Sequence, residues 1–265
     1  MRKTSETKVH STAIVDKKAE LGVGVVIGPY SIVGPKVKIG DYTELRSHVI
    51  VQGKTTLGAK NKIWSFASLG TEPQDLKYHG EDAELICGDE CMIREYVNLS
   101  IGTEGGGGLT KVGSRNLFMV NTHIAHDCII GSDCIIANGV SLAGHVEVHD
   151  QAVLGGHVAV HQFCRIGSLA MIAGGAGVAQ DVPPFFLVHG NHAKPVGLNL
   201  VGLRRAGVAR ENIDKIKKIY RCLAQMNRPL DESIEEIKTK FSGLEENFNT
   251  FINFLTAPSK RGICR

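Results

Sequence analysis

Between Thr122 and Cys128 the chain reads Thr-His-Ile-Ala-His-Asp-Cys. A histidine titrates near neutrality and takes a proton from a hydroxyl. A carboxylate beside it fixes the tautomer and stabilises the imidazolium that forms. His126 followed by Asp127 offers that pair, with His123 close by, and His145, His149, His157 and His161 come further on. Clustered histidines serve proton transfer or metal ligation, and a lone one on a surface is ordinarily just solvated. The chemistry therefore depends on which elements bring several together.

The positioning element is a six-residue period. From Val9 through Val15, Leu21, Ile27, Val33, Ile39, Leu45, Val51, Leu57 and Ile63 to Leu69, every sixth residue is aliphatic. The period returns at Cys87, Ile93 and Leu99, and runs again from Val112 through Phe118, Ile124, Ile130, Ile136, Leu142 and Val148 to Val178. Four residues after each aliphatic of the first run stands a small side chain such as Ala13, Ser31, Thr43 or Ala67, with Asn61 the exception. Glycine often follows the aliphatic directly, as at Gly22, Gly28, Gly34 and Gly40. A helix repeats near 3.6 residues and an isolated strand at two. A period of six points to an all-β parallel β-helix, with large aliphatics inside and glycine relieving the backbone at the corners.

In the left-handed form three hexads close a triangular coil, stacking residues eighteen apart at a strand spacing of about 4.8 Å. The hand is taken from a resemblance to hexapeptide-repeat acyltransferases, since a period alone does not fix it. On this arithmetic His126 lies under Gly144, Gln162 and Gln180, and Asp127 lies under His145, Phe163 and Asp181. His126, Asp127, Gly144, His145 and Gln162 then share one face, with His123 and His161 near in phase. A glycine one strand above His126 offers a backbone N–H to a developing oxyanion. Those parts suffice for direct acyl transfer from a thioester to an alcohol, with no serine or cysteine nucleophile.

The remaining composition narrows the field. The net charge of +3 is mild and gives no sign of a nucleic-acid partner. No apolar run of about 18 residues is present, so no transmembrane segment is expected. Met1–Lys8 is polar and lacks a signal-peptide core, which makes a cytoplasmic location the expectation. The hexad phase turns Cys91, Cys128, Cys134 and Cys164 inward at the small position and puts Cys87 at the aliphatic one, as buried small hydrophobes. Cys222 and Cys264 lie in the tail without ligand-like neighbours.

Two segments break the period and are expected as external loops, near 71–86 and near 105–111. Beyond Pro183-Pro184 the hexads end. We expect residues 1–190 to form the β-helix and 191–265 a small C-terminal α-helical domain. Its apolar faces fall at Ile213, Ile216, Ile219, Tyr220 and Leu223, at Ile234, Ile237 and Phe241, and at Phe248, Phe251, Ile252 and Leu255. This tail is expected to cover the open coil end and to support oligomer contacts. Arg204, Arg205, Arg210, Lys215, Lys217 and Lys218 offer a basic landing surface for an acidic partner.

An ordered set of motifs carries a more specific resemblance. These are Gln74-Asp-Leu-Lys-Tyr78, Ile93-Arg-Glu95, the glycine-rich run through Leu109-Thr-Lys-Val-Gly113, His123-Ile-Ala-His-Asp-Cys128, Leu142-Ala-Gly-His-Val146, Ala159-Val-His-Gln-Phe-Cys164 and Val178-Ala-Gln-Asp-Val-Pro-Pro184. Together they resemble the UDP-N-acetylglucosamine acyltransferases that begin lipid A biosynthesis, over nearly the whole chain.

The resemblance implies a homotrimer of left-handed β-helices with active sites between subunits and no cofactor. The reaction it implies moves an (R)-3-hydroxyacyl group from acyl carrier protein to the 3-position of a UDP-sugar. His126 would be the general base, Asp127 its orienting partner and the Gly144 N–H the oxyanion donor. Gln74, Lys77, His123, His145, His161, Gln162, Asn199 and Arg205 would contact substrate. Gly174 matches the position that limits acyl length, and a glycine there leaves room for a longer chain.

Three places depart from that family's pattern. Ser100 and Ile101 stand where it commonly has His-Arg, Val201 replaces a glutamate, and Ala206 replaces the second arginine of a pair. They open the alternative of a 3-amino sugar acceptor and an amide product, which an amine's greater nucleophilicity would favour. The later N-acyltransferase of the pathway shares the solenoid but carries a separate N-terminal domain, whereas the hexads here begin at Val9. Trimeric zinc carbonic anhydrases share it too, and pair histidines separated by four residues. His123/His126, His145/His149 and His157/His161 are separated by two, three and three, so no metal is expected. A non-catalytic solenoid is the remaining alternative.

Overall fold

The structure, a computed structural model, describes residues 6–225, 229–240 and 246–265. Phe241 lies outside the described residues, as does the side chain of Phe248. The hexads form a left-handed parallel β-helix of three sheets, here the first, second and third faces, with eleven, nine and eight strands. The chain visits the faces in strict rotation, as in Leu117–Phe118, His123–Ile124 and Ile129–Ile130, so each coil contributes one strand to each. The aliphatic hexad residues stack directly, with Ile27, Leu45, Ile63, Ile93, Phe118, Ile136, Leu154 and Ile172 forming one internal column. All are at most 1% exposed. Each such side chain contributes about 1.5–3 kcal/mol by leaving water.

The small position behaves as the phase demands. Val25, Ser31, Val37, Thr43, Val49, Thr55 and Ala67 are buried, and so is the exception, Asn61. Its amide donates to the Gly58 and Gly88 carbonyls (2.9 and 2.8 Å), and its oxygen accepts from Cys91 N–H (2.8 Å). Asn116 repeats the device, donating to the Gly131 carbonyl and accepting from Cys134 N–H, both at 2.7 Å. Asparagine thus ties adjacent coils where the interior is polar enough to admit it. All seven cysteines are free; Cys87, Cys91, Cys128, Cys134, Cys164 and Cys264 are buried, and Cys222 is half-buried.

The glycines do not serve the corners in the expected way. The left-handed residue of each corner is commonly not glycine: Tyr30, His48, Phe66, Tyr96 and His157 between the first and second faces, and Asp127, His145 and Phe163 between the second and third. Such a conformation costs roughly 1–2 kcal/mol. It turns the N–H toward the coil below, as in His145 N–H to the His126 carbonyl (3.1 Å) and Phe163 N–H to the Gly144 carbonyl (3.2 Å). Gly28 and Gly40 have ordinary backbones and are required by proximity. A Cβ there would stand 2.7 Å from the backbone of Arg46 or 2.5 Å from that of Gly58.

The step between coils is eighteen residues where the period is unbroken, as in Ile124↔Leu142 and Leu142↔Val160. It swells to thirty across the first loop (Ile63↔Ile93) and twenty-five across the second (Ile93↔Phe118). Both loops leave from the corner between the second and third faces, after Thr71 and after Ser100. The step contracts to sixteen at the last coil, in Ile166↔Val182 and Ile172↔Val188. That contraction corrects one expectation. Asp181 does not stand over Phe163 but forms a buried pair with Arg165, at 2.7–2.8 Å.

An antiparallel strand, Lys194–Leu198, pairs with Phe186–His189 at the edge of the first face. Among the described residues four α-helices follow: α1 (Leu200–Arg205), α2 (Arg210–Tyr220), which a π-helical turn, Arg221–Gln225, continues, α3 (Leu230–Lys240) and α4 (Glu246–Thr256). Ile213, Ile216 and Ile219 of α2 and Ile234 and Ile237 of α3 are buried. Phe185 and Phe186 of the last coil lie against Phe251 of α4 and Tyr220 of α2, so the helices seal this end of the core. Among the described residues no helix is long and apolar enough to cross a membrane.

Candidate active site

The corner between the second and third faces gathers His126, Asp127, Gly144, His145, His161 and Gln162 from three successive coils. The His126 Nδ1–H donates to Asp127 Oδ2 at 2.8 Å. This fixes the tautomer and leaves Nε2, with no partner among the described residues, as the proton acceptor. The His126 side chain is 15% exposed and that of Asp127 is 1% exposed. The imidazole thus reaches the surface while its carboxylate partner does not.

A buried carboxylate must be fully hydrogen-bonded to remain charged. Thr103, in the second loop, donates its N–H to Asp127 Oδ1 (2.9 Å) and its hydroxyl to Oδ2 (2.6 Å). Asp127 N–H donates to Thr110 Oγ1 (2.8 Å). The glycine run lets the loop approach this closely, since a Cβ on Gly106 would lie 2.0 Å from the Asp127 carboxyl carbon.

Gly144 is required by the same imidazole. A Cβ there would stand 2.6 Å from His126 Cε1, so only glycine admits the ring against the backbone above it. Its N–H donates to nothing among the described residues. The pairing is what an acyl transfer needs: a proton acceptor, and beside it an unpaired N–H in a half-covered site.

His145 meets His126 edge-on at 5.2 Å between centroids and stacks on Phe163 at 4.5 Å. Its Nε2 is 3.9 Å from Asp127 Oδ2. Burial pushes its pKa down; Asp127 pulls it up by less, and His126 and Lys260 oppose that pull. His123 Nδ1–H donates to Asn98 Oδ1 (2.8 Å), and the Asn98 amide donates to Thr71 Oγ1 (2.9 Å). Its pKa is also pushed down, by burial first and then by His126. Both rings are held toward the neutral form. His126, Asp127 and His145 bring ligand-capable atoms within 4.8 Å of one another. Asp127 Oδ2 already accepts from Thr103 and His126.

His161 and Gln162 are exposed, with His161 Nδ1 3.2 Å from the Gln162 carbonyl. Gln74 and Lys77 are exposed in the first loop, which leaves from this same corner. Its Asp75 lies near enough to act on His145. Three expected residues are not brought to this corner. Gly174 lies between the first and second faces, where a Cβ would approach the Gly156 carbonyl at 3.3 Å. Asn199 caps α1, accepting from Gly202 N–H and donating to the Leu169 carbonyl, between the third and first faces; exposed Arg205 ends the same helix. Ser100 and Ile101 are buried and present nothing to the site, whereas Val201 and Ala206 are exposed. Of the basic tail residues, Lys217 pairs with Asp214 and Lys215 bonds Asn212, while Arg204, Arg210 and Lys218 stay exposed.

Residues 181–264 match the family described as UDP N-acetylglucosamine O-acyltransferase, domain 2, and residues 109–144 match the bacterial transferase hexapeptide repeats. The chain is 51% identical over 258 residues to an acyl-[acyl-carrier-protein]–UDP-N-acetylglucosamine O-acyltransferase of Aliarcobacter butzleri, covering 96% of this chain and 97% of that one. Among solved structures it superposes on LpxA of Acinetobacter baumannii with a TM-score of 0.94 at 43% identity, and on the O-acyltransferase of Moraxella catarrhalis with 0.93 at 42%. Each superposition covers 97% of this chain and 99% of the other.

Proposed function

This chain belongs to the acyl-carrier-protein-dependent UDP-N-acetylglucosamine O-acyltransferases, and on that premise we propose how its residues perform the transfer. The protein is an acyltransferase of the first step of lipid A biosynthesis, taking its acyl group from acyl carrier protein and passing it to a UDP-sugar. His126 Nε2 takes the proton from the acceptor 3-hydroxyl as that oxygen attacks the thioester carbonyl. The carbonyl oxygen becomes an oxyanion and is met by the Gly144 N–H. Collapse breaks the carbon–sulfur bond, and the departing thiolate receives the proton from the His126 imidazolium. Asp127 stabilises that imidazolium and holds the ring in place. The carrying observation is the locked His126–Asp127 pair with Nε2 open beside the unpaired N–H of Gly144.

Gln74, Lys77, His123, His145, His161 and Gln162 contact substrate at this corner. Gly174, Asn199 and Arg205 serve the same site from a neighbouring subunit, the first bounding the acyl chain and the others the nucleotide. Their placement at other corners supports a homotrimer with shared sites, because one protomer does not bring them to His126. Exposed Tyr30, Phe66 and Tyr96, stacked with His48 outside the corner between the first and second faces, supply apolar surface suited to contact between copies. The working division of the chain is a solenoid over 1–190 and a helical part over 191–265, and the enzyme acts in the cytoplasm.

The deciding experiment is transfer from hydroxyacyl carrier protein to UDP-N-acetylglucosamine and to its 3-amino analogue, read by product mass. An ester product that disappears in His126→Ala is expected. Transfer at the wild-type rate in His126→Ala would overturn the assignment, and preference for the amine would move the acceptor to the amino sugar.

A further inference from the structure

The end of the chain returns to the candidate site. After α4, Asp181 N–H donates to the Gly262 carbonyl and Cys264 N–H to the Asp181 carbonyl, both at 2.8 Å. Arg261 Nε donates to the Ala179 carbonyl (3.2 Å), and Ser259 Oγ accepts from the N–H groups of Arg261 and Gly262. Ile263 and Cys264 are buried. This clamp holds Lys260 with its Nζ 4.2 Å from the centroid of the Phe163 ring. Phe163 stacks on His145, and His145 meets His126. Lys260 therefore stands at the open end of a column whose other end is Asp127.

Beside the column runs a groove of about 440 Å³ lined by Asp127, His145, Glu147, Phe163, Arg165 and Lys260 among others. Its other charges have partners. Arg165 is held by Asp181, Glu147 faces His149 at 3.8 Å, and Asp127 is bonded by Thr103 and His126. Lys260 makes no ion pair among the described residues and rests on a ring face, a weak partner at an exposed position. An ammonium is a compact point charge with three donors, suited to a phosphate oxygen.

We propose that Lys260 is a phosphate-binding residue of the acyl-transfer site, holding a phosphate ester of one of the two substrates at the mouth of this groove. The inference rests on the proposed function, under which both substrates carry such a group. One is the diphosphate of the acceptor, and the other is the phosphodiester of the pantetheine arm that bears the thioester.

The test is initial-rate kinetics of the whole enzyme with Lys260→Met and Lys260→Arg, varying acceptor and donor in turn. Acyl-phosphopantetheine and phosphate-free acyl-pantetheine serve as further donors. Lys260→Met should raise KM for one substrate about three- to fivefold, more than it lowers kcat, and Lys260→Arg should recover most of the loss. A rise in donor KM that vanishes with acyl-pantetheine assigns the carrier arm, and a rise in acceptor KM assigns the nucleotide diphosphate. Unchanged KM for both substrates overturns the proposal, as does a loss confined to kcat or to melting temperature. His126→Ala run in parallel keeps the outcomes apart: transfer surviving in that variant would overturn the reaction assignment, whatever Lys260 does.

Discussion

Thr103 grips both oxygens of the Asp127 carboxylate, with its N–H on one and its hydroxyl on the other. The two residues are 24 apart in the chain, and the bond crosses from an external loop to a corner of the coil. Removing the hydroxyl strips a charge-assisted bond from a buried carboxylate, a loss of about 1.5–3 kcal/mol. Thr103→Val should therefore lower kcat roughly tenfold or more with a smaller change in KM, and Thr103→Ser should restore most of it. Steady-state kinetics of the two variants checks this.

Gly144→Ala should nearly abolish transfer while leaving the coil folded. The added carbon would meet the His126 ring at 2.6 Å, and the ring must swing away from the acceptor. A displacement near 1 Å costs on the order of 100-fold in rate. Turnover and the far-ultraviolet spectrum of the same sample separate lost geometry from lost fold.

Stability should fall on mild acidification. Burial depresses the pKa values of His123 and His145 below their ordinary 6.5. Below about 6.5 the unfolded chain binds these protons and the folded chain does not. The contribution is thus full above that pH and declines as pH drops toward the folded values. His145→Phe, which keeps a ring against Phe163, should flatten the dependence of melting temperature on pH between about 7 and 5. An unaltered slope would count against this account.

Asn61→Ala should destabilise the solenoid by about 2–4 kcal/mol, because it strands the Cys91 N–H and the Gly88 carbonyl at once, while the Gly58 carbonyl keeps its bond from the Thr43 hydroxyl. Chemical denaturation monitored by circular dichroism measures it.

The proposed sharing of sites between subunits predicts complementation. His126→Ala and Asn199→Ala proteins, each poorly active alone, should regain part of the activity when unfolded and refolded together. Mixed trimers would then contain corners carrying neither change. Activity no higher than the sum of the separate preparations would place Asn199 outside the site.

The interior and the stacking at His126 were legible because an unbroken hexad run makes position in space a function of position in sequence. The Ile124↔Leu142 register delivers Gly144 over His126 without further information. Legibility failed wherever that function breaks. Thr103 reaches Asp127 through an insertion whose path no period encodes, although the four glycines at 105–108 mark a backbone built for close approach. Asp181 was misplaced because the last coil drops two residues. Asn98 and Lys260 were silent, the first outward on an ordinary strand and the second in a tail that docks by backbone hydrogen bonds, which leave no mark on side-chain pattern.

The eighteen-residue step between His126 and Gly144 has a consequence for how such enzymes can vary. The His126 ring, the Asp127 carboxylate and the Gly144 N–H hold their relation through one stride of the coil, together with the loop that settles onto Asp127. Whole coils added or deleted below Thr71 would change the length of the molecule without altering that stride. A single residue inserted between Asp127 and Gly144 would put a different backbone amide over the His126 ring. This arrangement is therefore portable along the solenoid as a cassette, intolerant of indels inside it and indifferent to them at a distance.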